Sequence, residues 1–144
     1  MKQVQLISKN LKKINHLYTK VLSKELSAIQ LDQHFEVLLV LNMQELPVTQ
    51  NKLAELMQID KSRMANIIFY LESKNLVYIK RNPADRREHY VFLSAGAKKT
   101  IPQIECTVEK INEIAEEGIT QEKLVVFFEV SEIIRQNLSK RSYL

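Results

Sequence analysis

Residues 60–93 read DKSRMANIIFYLESKNLVYIKRNPADRREHYVFL, and the two halves of this stretch follow different periods. Asp60 suits a helix N-cap, because its carboxylate can accept the first unpaired amide hydrogens and sits at the positive end of the helix dipole. Met64, Ile67, Ile68 and Leu71 then fall at i, i+3, i+4 and i+7, one apolar stripe that needs a core to pack on. The opposite face carries Ser62, Asn66 and Phe69, with Arg63 and Tyr70 on its flank and Lys61 in the first turn.

Beyond this helix the period changes to two. Asn75 stands where a helix would end in a left-handed residue, a position that asparagine tolerates when glycine is absent. Val77, Ile79 and Arg81 alternate with Tyr78 and Lys80 as a strand should, and Tyr90 to Leu93 is a second β-rich run. Between them, Asn82 to Glu88 forms a polar turn with two adjacent arginines, Arg86 and Arg87. Asp85, two residues before Arg87, is placed to pair with its guanidinium and hold it in one pose. Hydroxyl, amide and guanidinium groups on an exposed helix suit base edges and phosphates, and arginine at a hairpin tip suits the negative potential of a narrow groove. The pattern therefore predicts a duplex DNA partner, although a polar face alone would be an ordinary solvated one.

Upstream, Val48 to Met57 reads as a short helix capped by Thr49, followed by Gln58-Ile59-Asp60 as a turn. Helix, turn, helix, a hairpin with an Asp85-Arg86-Arg87 tip and a Leu93-Ser94-x-Gly96 closure together resemble the winged helix-turn-helix of the MarR family of bacterial transcriptional regulators. The resemblance implies a mainly α fold with a small β-hairpin wing, in which a winged helix-turn-helix module joins a helical dimerisation region. It implies a two-fold homodimer that presents two recognition helices to successive major grooves of a pseudo-palindromic site, and repression as the sign of regulation. On this reading Ser62, Arg63 and Asn66 meet bases, Thr49, Gln50 and Lys61 hold phosphates, and Asp85, Arg86 and Arg87 form the wing contact. Two positions depart from the family pattern: Asn75 replaces the usual glycine, and Ile79 stands where arginine is frequent, with Lys80 and Arg81 carrying the charge instead.

The composition agrees. The chain has 144 residues, with 2 glycines and 3 prolines to interrupt helices, and a net charge of +4. Residues 60–87 hold 7 basic and 3 acidic side chains, whereas 95–144 hold 7 and 8, so the basic excess gathers where a phosphate-facing surface needs it. One cysteine excludes an intrachain disulfide and suits a reducing cytoplasm. No run approaches the roughly 20 apolar residues of a membrane span, so the chain is expected to be soluble and not exported.

The remainder reads as helices around this centre. Val4, Ile7, Leu11, Ile14, Tyr18 and Val21 form a thin seam over a helix of about residues 3 to 28, which needs a partner helix. Asp32 can cap a second helix, apolar on nearly every side from Phe35 to Leu41 and ended by Leu46-Pro47. Ser94 caps a further helix that Pro102 should kink or restart, with Ile101, Ile104, Val108, Ile111 and Ile114 as its stripe and a stop at Gly118. Thr120 caps the last helix, where Phe127 and Phe128 are core or interface anchors. The organisation expected is thus a dimerisation helix at 1–31, the winged module at 32–94 and dimerisation helices at 95–144.

Other chemistry is sparse. Cys106 has no basic neighbour in sequence to activate it, and reads as a small helix residue before a redox sensor. His16, His34 and His89 lie on different elements with no metal-ligand spacing, so no metal and no cofactor is expected. The resemblance implies that many members take aromatic or phenolic effectors in a crevice between winged module and dimer body. His16, Tyr18, Phe35 and Met43 fit its lining and fit a core equally well. No phosphate loop, nucleophile elbow or acid pair points to an enzyme. The other reading is a helical interaction protein that turns the wing toward another protein, which salt dependence would separate from DNA binding.

Overall fold

The computed structural model describes residues 3–29, 31 and 33–141, with side chains from residue 6 onward. Asp32, the sequence-predicted cap, and the Val4 side chain of the first seam lie outside the described set. The elements run α1 (Gln3–Leu26), a short 3-10 turn at Ser27–Ile29, α2 (Phe35–Met43), β1 (Val48–Thr49), α3 (Gln50–Met57), α4 (Lys61–Ser73), β2 (Val77–Arg81), β3 (His89–Leu93), α5 (Ala95–Glu116) and α6 (Gln121–Ser139). Residues Met1–Ile111 form one compact unit and Asn112–Leu144 another.

The first unit is built around α2 and α4. Val37, Leu38 and Leu41 of α2 are buried, as are Met64, Ile67, Ile68 and Leu71, the stripe that the 3.6-residue period marked on α4. Leu22 and Leu26 of α1, Leu53 and Ala54 of α3, and Ala97, Ile101 and Ile104 of α5 complete the same core. Each fully buried leucine, isoleucine or methionine contributes at most about 1.5–3 kcal/mol by leaving water, so this core fixes which face α4 turns outward.

Helix ends are set by the residues expected and by some that were not. Asp60 Oδ1 accepts the Arg63 amide hydrogen at 2.8 Å, Thr49 Oγ1 accepts that of Lys52 at 3.1 Å, and Ser94 Oγ accepts that of Ala97 at 3.0 Å. At the end of α4, Asn75 adopts φ 58° while its N–H donates to the Glu72 carbonyl and that of Leu76 donates to Leu71, a Schellman closure. Gln58 does the same after α3 with φ 54°, as the N–H groups of Gln58 and Ile59 donate to Glu55 and Ala54. Helix α2 starts after His34, itself left-handed at φ 62° with no side-chain cap.

Three expectations are corrected. The sheet has three strands, because Val48 and Thr49 leave α3 and pair with Val91 and Tyr90 of β3, giving the order β1-β3-β2. Helix α2 ends at Met43, before Leu46-Pro47: Gln44 turns extended and its side-chain amide donates to the Val40 carbonyl at 3.0 Å, capping the last turn. Of the two outcomes expected at Pro102, a kink or a restart, the restart does not occur, since α5 is continuous from Ala95 to Glu116. The proline forfeits one ladder hydrogen bond there, while Ile101 and Ile104 on either side hold the turn against the core.

In the second unit Gly118, at φ 80°, ends the turn after α5, and Thr120 Oγ1 caps α6 by accepting from the Lys123 amide at 3.3 Å. No residue of α6 is buried in the single chain, and Phe127 and Phe128 are 48% and 62% exposed. The α1 seam is similar: Ile7, Leu11, Ile14 and Val21 are 42–47% exposed.

Candidate nucleic-acid interface

With its apolar stripe seated, α4 turns Ser62, Arg63, Asn66 and Phe69 to solvent, and Lys61 is exposed in its first turn. The Asp60 cap satisfies the Arg63 amide and leaves the Arg63 side chain unengaged by it. Helix α3 packs beside α4, and the two frame a groove of about 490 Å³ lined by Thr49, Asn51, Lys52, Glu55, Asp60 and Lys61 among others. Thr49 and Lys61, assigned to phosphates from sequence, are thus brought to one groove. The Thr49 hydroxyl oxygen is occupied as the cap of α3, so its O–H remains to donate outward. Gln50 is half-buried at the first position of α3. Lys52 and Asn51, which the sequence reading passed over, line the same groove, and Lys52 lies 3.7 Å from Glu55 in an exposed i, i+3 pair.

The wing follows from its register. Tyr78 faces Phe92 and Lys80 faces Tyr90 across β2 and β3, so Val77, Ile79, Val91 and Leu93 point to the core and the aromatic residues to the other face. There Tyr78 and Phe92 stack at 5.3 Å, and Lys80 Nζ lies 5.8 and 5.7 Å from their ring centres. The inward Ile79 packs against the core, which accounts for an apolar residue at that position.

Two Asx turns shape the tip. Asn82 Oδ1 accepts the Ala84 amide at 2.9 Å, and Asp85 Oδ1 accepts the Arg87 amide at 3.0 Å. The Asn82 side-chain N–H donates to Glu88 Oε2 at 2.7 Å, and backbone bonds join Asn82 to Glu88 and Glu88 to Asp85 at 3.0 Å each. Asp85 does approach the Arg87 guanidinium, at 3.6 Å, but the Arg87 side chain is 92% exposed. An ion pair that exposed is worth little, so the principal work of Asp85 is to fold the turn that projects Arg86 and Arg87. Among the described residues no hydrogen bond or ion pair ties the tip to α4.

The residues considered for an effector are dispersed in exposure. His16 is exposed, Tyr18 and Phe35 are half-buried against the core, and Met43 is 77% exposed. None of the four lines the groove at α3 or a second cavity of about 260 Å³ between residues 41–48, β3 and Lys98. Cys106 is exposed on α5. Among the described residues no group of three or more His, Cys, Asp and Glu is placed to hold a metal, and no helix is long and apolar enough to cross a membrane.

This arrangement can be set beside known proteins. A family model described as "MarR family" matches residues 31–88, from the entry to α2 to the wing tip. Over those residues the winged module is similar to the MarR family. No curated protein matches the chain by sequence. Among solved structures, a MarR transcriptional regulator from Methanosarcina mazei Go1 superposes with a TM-score of 0.81 at 20% identity, over 94% of this chain and 98% of the other. AbsC, a MarR family transcriptional regulator from Streptomyces coelicolor, gives 0.77 at 23% identity over 97% of each chain. The transcriptional regulator SlyA gives 0.81 at 20% identity, over 94% of this chain and 95% of its own. At such identities the likeness establishes the MarR winged-helix fold, and the match runs through the helices on both sides of the module.

Proposed function

We propose that the chain is a transcriptional regulator that binds duplex DNA as a two-fold homodimer and acts in the cytoplasm. The observation that carries this reading is a core-anchored α4 whose outward face holds Ser62, Arg63 and Asn66, accompanied by a wing that projects Arg86 and Arg87. Ser62, Arg63 and Asn66 meet base edges; Thr49, Gln50 and Lys61 meet phosphates; the wing arginines enter the flanking groove, with Asp85 shaping their turn. The apolar seams of α1 and α6, exposed in one chain, support residues 1–31 and 95–144 as dimerisation segments and 32–94 as the DNA-binding module. Repression follows because a dimer seated on a promoter excludes polymerase. A small effector in a crevice lined by His16, Tyr18, Phe35 and Met43 would act by favouring a spacing of the two α4 helices that no longer fits successive grooves.

The test is a fluorescence-anisotropy titration against promoter DNA from the gene's own neighbourhood, at several salt concentrations with nonspecific competitor. Lys61, Arg86 and Arg87 on two protomers supply six cationic phosphate or groove contacts, so log affinity should fall with log salt at a slope of about −5. Arg87→Ala should cost roughly 1–3 kcal/mol in affinity and flatten that slope by about 2 without loss of folding. Binding that ignores salt, or is lost entirely to competitor, would overturn the reading and turn attention to a protein partner.

A further inference from the structure

Phe69 is the most exposed aromatic residue among the described residues, at 73%. It stands on α4 opposite the buried Met64–Leu71 stripe, in line with Ser62 and Asn66 at i, i+4 and i+7. The other described aromatics pack against the core or against one another: Tyr78 with Phe92, Phe92 with Tyr90, Phe127 with Phe128, Tyr70 with His34. The Phe69 ring makes no such contact, nor does a cation lie over it. The fold therefore holds a large apolar group on the outward face of α4, with nothing among the described residues to cover it.

We infer that Phe69 is a specificity-determining residue that recognises thymine, by packing its ring on the 5-methyl group of a T·A pair in the major groove. The inference rests on the DNA-binding reading of α4. A major groove lined by base edges offers one apolar feature, the thymine methyl, and aromatic side chains are among its partners. Seven residues along the helix place Phe69 about 10 Å from Ser62, roughly three base-pair steps, so both reach bases of one half-site. A protein partner fits less well: the rest of the exposed surface of α4 is Lys61, Ser62, Arg63, Ala65, Asn66, Glu72 and Ser73, and one ring within mostly polar neighbours lacks the apolar centre of a protein interface.

The test uses a duplex selected from a random pool by the full-length wild-type protein. Each thymine of the selected half-site is replaced in turn by deoxyuracil, which removes the methyl and leaves base pairing intact. One replacement should weaken wild-type binding about fourfold, the worth of one methyl-sized contact, and Phe69→Ala should be insensitive to that same replacement. Phe69→Leu, which keeps an apolar group, should retain part of the sensitivity, and circular dichroism should show all variants folded. A selected site without thymine in reach, no sensitive thymine, or equal sensitivity in Phe69→Ala overturns the inference while DNA binding stands. Failure of the wild type to select any sequence overturns the DNA-binding reading itself, and this inference with it.

Discussion

Replacing Asp85 separates two roles that the sequence cannot distinguish. Its carboxylate oxygen lies 3.0 Å from the Arg87 amide nitrogen and 3.6 Å from the Arg87 Nε. The ion pair, with Arg87 92% exposed, should be worth between zero and about 1 kcal/mol. The hydrogen bond to the backbone should contribute about 1 kcal/mol to local order. Asp85→Asn retains an oxygen that can accept from the Arg87 amide and removes only the charge; Asp85→Ala removes both. If the turn is what matters, the alanine variant must reorder the tip each time it binds, at about 1 kcal/mol or somewhat more, and its DNA affinity should fall roughly five- to tenfold below that of the asparagine variant. The asparagine variant should bind as well as wild type, or a few-fold better at low salt, since one negative charge has left a phosphate-facing tip. Anisotropy titrations at low and near-physiological salt measure this, and hydrogen exchange of the Arg87 amide reports the turn directly. An asparagine variant as weak as the alanine one would refute the reasoning and return Asp85 to its role as the guanidinium's partner.

Other outcomes follow from the same structure. Met64, fully buried on the inner face of α4, should cost about 2–5 kcal/mol when cut to alanine, read from the urea midpoint; a cost under about 1 kcal/mol would mean that α4 is not seated as described. Gln58 holds φ 54° with a side chain that disfavours it, so Gln58→Gly should stabilise the chain by about 0.5–1 kcal/mol after the entropic cost of glycine, and a fall in melting temperature would contradict this. On α6 the Arg135 guanidinium, hydrogen-bonded to Glu132 at 2.8 Å, and next the Gln136 amide hold the Glu132 carboxyl down at about 2. Any stability that this exposed pair supplies is present above the unfolded carboxylate range and is lost as pH falls through about 2. An NMR titration should find Glu132 ionised until strongly acid pH and returned toward the ordinary carboxylate range in Arg135→Ala.

Much of this protein was legible in residues 60–93 because the physics there is local. The period of Met64, Ile67, Ile68 and Leu71 chose the buried face of α4 before any partner was known, and the Asp60, Thr49, Ser94 and Thr120 caps each act within three residues of themselves. Asn75 was readable as a helix stop because its own backbone tolerates the left-handed conformation. The third strand was not legible: Val48 has no local reason to leave α3, and its partner Val91 is brought beside it only when α4 and the hairpin fold back. Gln58 has no intrinsic preference for positive φ, which the packing around it imposes. That Pro102 does not restart the helix was not legible either, because the local penalty is set against a core that holds Ile101 and Ile104.

The sequence by itself thus determined the order of the helices and the hairpin, the helix ends with a side-chain signature and the residues available to meet a groove, since these depend on spacing and on each residue's own chemistry. Tertiary structure alone decided that Thr49 and Lys61 share one groove and that Phe69 stands uncovered while every other described aromatic finds a neighbour. Those are questions of which surfaces meet, and burial is a property of the assembled chain rather than of any segment of it.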